Sequence, residues 1–465
     1  MTKPSILAVA AALVAGVTTF ARQQPPATPP PPAPAQQQQP SDVELVISGE
    51  GSRPPEYAVP DFVALSPDAN DLGKLLGQVL WDDLRFEREV DVMPRDIVAT
   101  VPVARTPEQV PFQAWRELNA DAVVFGSVQK NGDTLTVQVR LFNARTRQAV
   151  FSREYSGKSE PRSFAHRIAD EIHLQQRNLH GVAHTKLAFV STRARTRVRG
   201  TGQQNRESKE VWISDYDGAN QRQITLNSAW LNVAPSWSPD ARAIAYTSYQ
   251  KVAGGGAPDI FISLIYQGIR DKPTKGRADS NFQPVFSPDG SRIAFMSNRD
   301  GNNEIYVMNK DGSGVRRLTF TPNASESTPT WSPTGSEIAF TSDRTGTPQI
   351  YIMSSADGSG VTKVTSESYA DRATWSPAPY NEIAYAARTG PGFDIKVINL
   401  TTREIIALTH GEGSNESPAY SANGRHIAFM STRKGNAQIF TMTRDGRDLR
   451  QVTTTGTNET PAWSN

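Results

Sequence analysis

The stretch PVFSPDGSRIAFMSNRDGNNEIYVMNKDGSGVRRLT, Pro284–Thr319, contains four short apolar segments separated by turn residues. The segments are Pro284–Ser287, Arg292–Ser297, Glu304–Asn309 and Val315–Thr319, and their length and alternation are typical of β-strands. Pro, Asp and Gly stand between them, where Pro fixes φ and Gly accepts a positive φ. The stretch therefore predicts a four-stranded antiparallel sheet.

The same pattern recurs through the second half of the chain. A W-S-P phrase places its aromatic residue about every 45 residues, at Trp237, Phe286, Trp331, Trp375, Tyr420 and Trp463. An apolar-Ala-aromatic phrase begins at Leu187, Ile244, Ile293, Ile338, Ile383 and Ile427. Six four-stranded units at this period are typical of an all-β propeller with six blades, which we predict over residues 184–465.

The two ends of the repeat region complete each other. The first apolar-Ala-aromatic segment, Leu187–Val190, has no W-S strand before it, whereas the W-S segment Pro461–Ser464 has nothing after it. We expect these two segments to pair, because a C-terminal strand beside the first blade joins the ring by main-chain hydrogen bonds and covers two sheet edges.

The start of the chain has the composition of an export signal followed by a linker. Lys3 precedes the apolar run Ile6–Val17, which is too short for a membrane span, and we predict a secretory signal over residues 1–21. Pro25–Pro40 reads PPATPPPPAPAQQQQP and predicts an extended Pro/Gln-rich tether over residues 22–41. The chain has no Cys, which excludes disulfides, thiol catalysis and lipid anchoring at a cysteine.

Residues 42–183 have a mixed pattern and predict an N-terminal α/β domain. Strands are expected at Val43–Ser48 and Tyr57–Leu65 and in a three-strand meander with a hairpin turn at Asn131-Gly132; helices are expected at Asp68–Leu84, Thr106–Leu118 and about residues 162–178. We expect the helices to pack on one face of a small mixed sheet.

Motifs of catalysis are missing from the sequence. It contains neither G-x-S-x-G nor H-E-x-x-H. His166, His173 and His180 recur every seven residues, which leaves open either a metal site or contacts at the surface or between domains. A net charge of +2 gives no argument for nucleic-acid binding. We expect a binding protein with no catalytic residues, metal or cofactor.

The whole layout resembles the TolB family. The resemblance rests on WRELNADAVVFGSV at Trp115–Val128, SDYDGAN at Ser214–Asn220, six PD40-type (WD40-like) repeats and the terminal PAWS, and it covers about residues 42–465. The tether, the longer loops of two repeats and Tyr420-Ser421-Ala422 depart from it. The resemblance implies a monomeric, non-enzymatic periplasmic adaptor of a Tol-Pal system, not inserted in the membrane after signal removal. Such an adaptor supports envelope integrity and cell division and is used in protein import.

The resemblance also implies two partners. A TolA-type inner-membrane protein would bind the N-terminal segment, Asp42, Val43, Glu44, Leu45, Val46, Ile47 and Ser48. A Pal-type peptidoglycan-associated lipoprotein would bind the propeller. We expect its site at the mouth of the central channel, where blade-to-blade connections end in Asn281, Phe282, Gln283, Glu326, Ser327, Thr328, Asp371, Arg372, Asn415, Glu416, Asn458 and Glu459.

Two enlarged loops, Tyr249–Pro258 and Thr192–Lys209, should rise on the same face as this mouth. The longer one contains Arg193, Arg195, Arg197 and Arg199, which an extended chain would present on one side as a rim. The rim is either a solvated hairpin tip or an electrostatic docking surface for an acidic partner or a phosphate-bearing envelope component. Two other functions also stay open, a propeller that gates a peptidase carried on another chain and a propeller that binds envelope glycan.

Overall fold

The computed structural model describes residues 53–158, 160–194, 197–199, 205–226, 229–250, 257–274 and 279–465. Pro54–Asn465 form one compact unit. The predicted signal, the tether and the TolA-type segment Asp42–Ser48 lie outside the described residues. Among the helices that are described, none is both long and apolar enough to cross a membrane.

The N-terminal domain contains a mixed sheet. Its strands are β1 (Glu56–Ala58), β2 (Val63–Ala64), β3 (Asp91–Val92), β4 (Ala122–Asn131), β5 (Thr134–Asn143) and β6 (Ala149–Gly157), in the order β3-β1-β4-β5-β6 with β2 also beside β4. The meander β4-β5-β6 is confirmed, and Gly132 has the positive φ of 59° that its turn requires. The single strand expected at Tyr57–Leu65 is instead the two short strands β1 and β2, both parallel to β4.

Helices cover both faces of this sheet, so the expectation of one covered face is wrong. They are α1 (Asn70–Glu87), α2 (Arg95–Val98), α3 (Phe112–Glu117) and α4 (Pro161–Arg177). Leu80 of α1 and Ile168 of α4 pack with Val124 on one side, whereas Trp115 of α3 packs with Val123 on the other. The reason is the sequence of β4, which is apolar at consecutive positions and is therefore buried on both sides.

The described part of residues 184–465 forms six four-stranded antiparallel sheets, as predicted. We number the blades in chain order and give their strands from the inside outward. Blade 1 is Asn458–Trp463, Lys186–Ser191, Glu210–Asp215 and Arg222–Gln223; blade 2 is Ala229–Trp237, Ala243–Gln250, Asp259–Leu264 and Ile269–Asp271; blade 3 is Asn281–Phe286, Arg292–Ser297, Glu304–Asn309 and Arg316–Arg317; blade 4 is Glu326–Trp331, Glu337–Ser342, Gln349–Ser354 and Thr362–Lys363; blade 5 is Ala370–Trp375, Glu382–Thr389, Gly392–Asn399 and Ile405–Ala407; blade 6 is Asn415–Tyr420, His426–Ser431, Gln438–Thr443 and Arg450–Gln451. The inner strands of neighbouring blades contact one another around the ring.

The last strand closes the ring as predicted. Asn458–Trp463 pairs antiparallel with Lys186–Ser191, so that Trp463 lies opposite Leu187. The indole Nε1 of Trp463 donates to Thr185 Oγ1 at 2.7 Å, and Trp237 Nε1 of blade 2 donates to the Ala462 carbonyl at 3.1 Å. Blade 1 is thus bonded within itself and to blade 2 through this strand.

Every inner strand contains a bulge before its W-S phrase. The bulged residues are not glycine, yet all have φ between 46° and 55°: Ala234, Gln283, Thr328, Arg372, Ser417 and Thr460. The strand of blade 3 begins at Asn281, not at Pro284 as predicted, because the polar residues ahead of the bulge already pair with the next strand. A bulge redirects side chains, and here the first strand residue is buried while the following ones border the channel.

The N-terminal domain lies on the face of the first-to-second turns. In the blade 6 turn, Asn423 Nδ2 donates to the His180 carbonyl at 3.0 Å, and His426 Nε2 lies 3.1 Å from the Phe86 carbonyl. A cavity of about 940 Å³ between the domains is lined by the aromatic ends of the inner strands, by residues 178–181 and by His184 and Thr185. The opposite end of the channel lies on the face of the blade-to-blade connections, away from this domain.

Candidate protein-binding site at the channel mouth

The first residues of four inner strands are buried, although sequence analysis predicted that they contact a partner. Asn281, Glu326, Asn415 and Asn458 are at most 2% exposed. Their side-chain oxygens accept hydrogen bonds from Arg299, Arg344, Arg433 and Arg193, at 2.7, 3.1, 3.0 and 2.9 Å respectively. The prediction that these four residues contact a partner directly is therefore wrong, because they are buried and their polar atoms already make hydrogen bonds within the fold.

The arginines that hold these residues follow a repeated Ser-x-Arg pattern. Each donates from Nε to the serine two positions earlier, at Ser191, Ser297, Ser342 and Ser431, over 2.9–3.1 Å. Each guanidinium also lies over an aromatic ring, such as Phe189 beneath Arg193. Sequence analysis missed this arginine clamp, which could have been found from the recurrence of Ser-x-Arg after the second strand.

The prediction that Arg193 belongs to a rim of arginines presented to a partner is consequently wrong. This side chain is half-buried, burial lowers its pKa, and it stabilises the closure of blade 1 through Asn458. Arg197–Arg199 form a strand that pairs with Asn205–Glu207, so this stretch is extended as expected. Arg195 lies outside the described residues, and the alternating row does not include Arg193.

The second and third residues of the inner strands surround the mouth. Those of blades 3 to 6 and of the closing strand are Phe282, Gln283, Ser327, Thr328, Asp371, Arg372, Glu416, Ser417, Glu459 and Thr460, and all except the more deeply buried Ser417 are half-buried. We call these ten residues the channel mouth. Eight of the ten are predicted partner residues: the six in blades 3 to 5, together with Glu416 and Glu459. The other two, Ser417 and Thr460, were not predicted.

Hydrogen bonds join the channel mouth from blade to blade. Gln283 Oε1 accepts from the Thr328 backbone N–H at 2.9 Å, and Thr328 Oγ1 donates to Asp371 Oδ1 at 3.1 Å. Arg372 Nη1 then donates to Ser417 Oγ at 2.9 Å. Because these contacts preorganise the side chains, a partner would find them already positioned.

The channel mouth carries both signs of charge. Asp371, Glu416 and Glu459 are acidic, whereas Arg372 is basic and Lys209 Nζ lies 2.5 Å from Glu459 Oε2. The Arg372 side chain is 38% exposed, so its guanidinium retains access to a partner. This arrangement suits a polar protein surface with complementary charges more than a uniformly anionic ligand.

Aromatic side chains lie beside the mouth on two sides. Phe282 contacts Tyr249 with a ring separation of 6.2 Å, and Tyr369 contacts Phe393 at 5.4 Å. Arg388 lies over the second pair. Sequence analysis missed these partners because it placed Tyr249 in a loop, whereas Tyr249 belongs to the strand Ala243–Gln250. Aromatic residues and arginine dominate many protein interfaces.

Two histidines of the seven-residue series, His166 and His173, are buried, and His166 Nε2 lies 3.8 Å from Asp215 Oδ2 of blade 1. His166 Nδ1 lies 2.8 Å from Asp83 Oδ2, and His173 is buried in the same region. Within the described ranges, no group of three or more His, Asp or Glu side chains is arranged to hold a metal ion. His166 is thus placed where the N-terminal domain meets blade 1.

Comparison with known sequences agrees with this architecture. The family model described as the TolB beta propeller domain matches residues 177–465. The TolB amino-terminal domain matches residues 43–150. The chain belongs to the TolB family.

Relatives and a solved structure support the assignment. The chain is 32% identical over 267 residues to the Tol-Pal system protein TolB of Desulfosudis oleivorans. The aligned region covers 56% of this chain and 57% of the relative. It is 33% identical over 285 residues to the protein of the same name from Anaeromyxobacter dehalogenans, covering 61% of each. The chain thus spans about 60% of the length of these TolB relatives. The crystal structure of TolB from Acinetobacter baumannii has the same fold, with a TM-score of 0.73 and 24% identity over 89% of this chain and 97% of the other.

Proposed function

We propose that this protein is a non-enzymatic periplasmic adaptor of a Tol-Pal system. Its channel mouth binds a Pal-type lipoprotein, and its segment Asp42–Ser48 binds a TolA-type inner-membrane protein. The observation that carries the proposal is the open end of the propeller channel, where preorganised polar side chains, Phe282 and Arg372 surround one opening on the face away from the N-terminal domain. Through these two contacts the adaptor would couple the inner membrane to the outer membrane and support envelope constriction during division.

Two features support a binding role for the mouth. Its bulged strands are held by bonds between blades, so little conformational entropy is lost on association. Its half-buried residues combine an aromatic side chain, an arginine and several carboxylates, which is the composition of a specific protein contact. The names of the relatives, Tol-Pal system protein TolB, support the assignment to this system.

Binding of separate partner domains to the mature protein tests the proposal. Titration calorimetry with the soluble domain of a Pal-type lipoprotein and, separately, of a TolA-type protein should give one site each. Deletion of Asp42–Gly51 should abolish TolA-type binding and leave Pal-type binding unchanged or stronger. Deletion of ten residues within the tether, 25–34, is the matched control and should affect neither.

Loss of both interactions in the Asp42–Gly51 deletion, with an unchanged melting temperature, would contradict separate sites. Absence of Pal-type binding by the full protein would contradict the proposed partner. Hydrolytic activity in a co-purified second chain would favour the propeller that gates a peptidase.

A further inference from the structure

In the described residues, neighbouring blades are joined at equivalent buried positions by a pair of polar side chains, except between blades 4 and 5, where the inner strand begins with Ala370. One member is the first residue of a third strand or, in the longer third strand of blade 5, Asp394. The other is the first residue of the next inner strand or, in the long inner strand of blade 2, Asn232. At four junctions an asparagine Nδ2 donates to the carboxylate or amide oxygen of its partner: Asn232 to Glu210 at 2.8 Å, Asn281 to Asp259 at 3.0 Å, Asn415 to Asp394 at 3.1 Å and Asn458 to Gln438 at 2.8 Å.

The junction between blades 3 and 4 is different because both members are glutamates. Glu304 and Glu326 are each 0% exposed. Glu304 Oε1 accepts from Arg317 Nη2 at 2.5 Å and from the Thr321 backbone N–H at 2.8 Å. Glu326 Oε1 accepts from Ser342 Oγ at 2.8 Å and from Arg344 Nη2 at 3.1 Å.

The second oxygens of this pair lack a donor. Oε2 of Glu304 and Oε2 of Glu326 are both buried without a hydrogen-bond partner in the described part of the chain. An ionised carboxylate accepts hydrogen bonds and donates none, so two ionised groups here would leave two buried charges facing each other. A proton on one of them supplies the donor that asparagine supplies at the other junctions.

We propose that Glu304 and Glu326 share one proton, which makes the junction between blades 3 and 4 a pH-sensitive seam of the propeller. The proton forms an O–H···O bond from one carboxyl to the other and leaves one negative charge on the pair. Ser327 and Thr328 of the channel mouth follow Glu326 directly, so the seam lies at the border of the mouth.

The surrounding charges favour a proton over a metal cation. Arg317 and Arg344 already occupy one oxygen of each carboxyl, and Asp300, 3.9 Å from Arg317, is the further acid near the pair. A divalent cation would add two positive charges to a buried group that the arginines already neutralise, whereas the shared proton adds one. Burial raises the pKa of Glu326 to about 7, with the hydrogen bond and charge of Glu304 acting in the same direction and Ser342 and Arg344 opposing them.

The raised pKa of Glu326 determines whether stability rises or falls with pH. Glu326 is protonated in the fold at pH values where the unfolded chain has lost that proton, so unfolding releases a proton. Stability therefore falls as pH rises above the unfolded pKa, and the fall ends above about pH 7. One such proton changes the unfolding equilibrium constant by at most ~10-fold per pH unit.

The test compares the full protein with the isosteric variant Glu326→Gln in urea unfolding between pH 5 and 9. Glutamine supplies a permanent amide donor, so the variant should lose the pH slope due to this pair and be more stable than the wild type above pH 7. Glu87, whose pKa burial also raises to about 7, is the same in both proteins and cancels in the difference. The infrared difference spectrum of the two proteins at pH 6 should contain the band of a protonated carboxylic acid, which disappears at pH 9.

A second variant creates a pair of carboxyl groups at another junction, between blades 2 and 3. Asn281→Asp places a carboxyl against Asp259 and should add a pH slope to the unfolding free energy relative to the wild type. Parallel pH profiles of wild type and Glu326→Gln, or a difference spectrum without the protonated band, would overturn the proposal. Stabilisation of the wild type by added Ca²⁺, absent in Glu326→Gln, would overturn it in favour of a cation.

Discussion

The two ends of the propeller channel differ in how their polar groups are used. At the end facing the N-terminal domain, the SDYDGAN turn forms a latch, which we define as Asp83, His166, Asp215, Tyr216 and Asp217. Tyr216 donates to Asp83 at 2.7 Å, and Arg162 pairs with Asp217. At the other end, the channel mouth makes bonds between blades but leaves Phe282 and Arg372 partly accessible.

The contrast shows how one repeat produces two kinds of surface. At the end facing the N-terminal domain, which we call the closed end, turns of blades 1 and 6 bond to that domain. These two blades and the domain also share a single apolar cluster that includes Leu80 and Trp463. The bulges at the open end turn polar side chains toward the channel without a domain to receive them. The closed end is therefore a stability element, whereas the open end keeps side chains accessible, as the proposed partner site requires.

The largest expected effect comes from a change that breaks both ends at once. Deletion of Thr460–Asn465 removes the mouth residue Thr460 and the buried Trp463, together with its bond to Thr185. Loss of one large buried side chain costs about 3–5 kcal/mol, and the ladder to Lys186–Ser191 is lost as well. We expect the melting temperature to fall by several degrees or more, with early proteolysis near Lys186.

Calorimetry and limited proteolysis measure this effect. Trp331→Ala, which removes the equivalent aromatic from a covalently continuous blade, is the matched control and should destabilise less. A melting curve that the deletion leaves unchanged would show that this strand does not close the ring.

A smaller effect should follow from breaking the closed end alone. His166 lies between Asp83, at 2.8 Å, and Asp215, at 3.8 Å. Burial by itself would lower the pKa of His166, but the charge of Asp83, the hydrogen bond to Asp83 and the nearby Asp215 carboxylate raise it to about 10. His166→Gln should cost about 3–5 kcal/mol, because it leaves buried Asp83 without its cation.

The pH dependence identifies the origin of that loss. A histidine whose pKa is raised in the fold stabilises fully below the unfolded value near 6.5, and the stabilisation disappears as pH rises through about 10. The difference in unfolding free energy between wild type and His166→Gln should therefore shrink over this window. His184→Gln, at a pair in which His184 is 64% exposed, is the control and should cost below about 1 kcal/mol; an equal cost for both variants would contradict a buried latch.

Local sequence patterns predicted the repeat but not the use of its residues. The bounds of Arg292–Ser297 and Glu304–Asn309 agree with prediction, because alternation and turn residues are local signals. The inner strand was predicted three residues short, since polar Asn281–Gln283 and the bulge hide it. Burial of Arg193 depends on Asn458, 265 positions away, which no local pattern reports. The position of the mouth residues on the face of the blade-to-blade connections was predictable because loop alternation in a blade fixes which face a residue occupies, whereas their role in binding stays a prediction.

Phe282→Ala changes the channel mouth and leaves the contacts with the N-terminal domain in place. Its ring is half-buried beside Tyr249, and removal should speed release of a Pal-type domain tenfold or more while leaving association unchanged, which corresponds to about 1.4 kcal/mol or above. Surface plasmon resonance separates the two rates. Phe320→Ala, at an exposed phenylalanine outside the mouth, should change neither, and the same loss in both variants would show that binding is not centred on the mouth.

The smallest effect is expected at the margin of the open end, where it decides whether the Arg197–Arg199 hairpin belongs to the binding surface. Charges at the rim of an interface mainly change the association rate, and salt screens them. The double variant Arg197→Gln, Arg199→Gln should therefore lower the association rate of a Pal-type domain at low salt and have no effect at high salt. Arg193→Gln should instead lower the melting temperature, because Arg193 holds Ser191 and Asn458 within the closing blade. Association rates at two salt concentrations, measured beside melting curves, separate steering from structure. An unchanged rate for the double variant at low salt would exclude the hairpin from steering, and would confine the open end to the residues of the channel mouth.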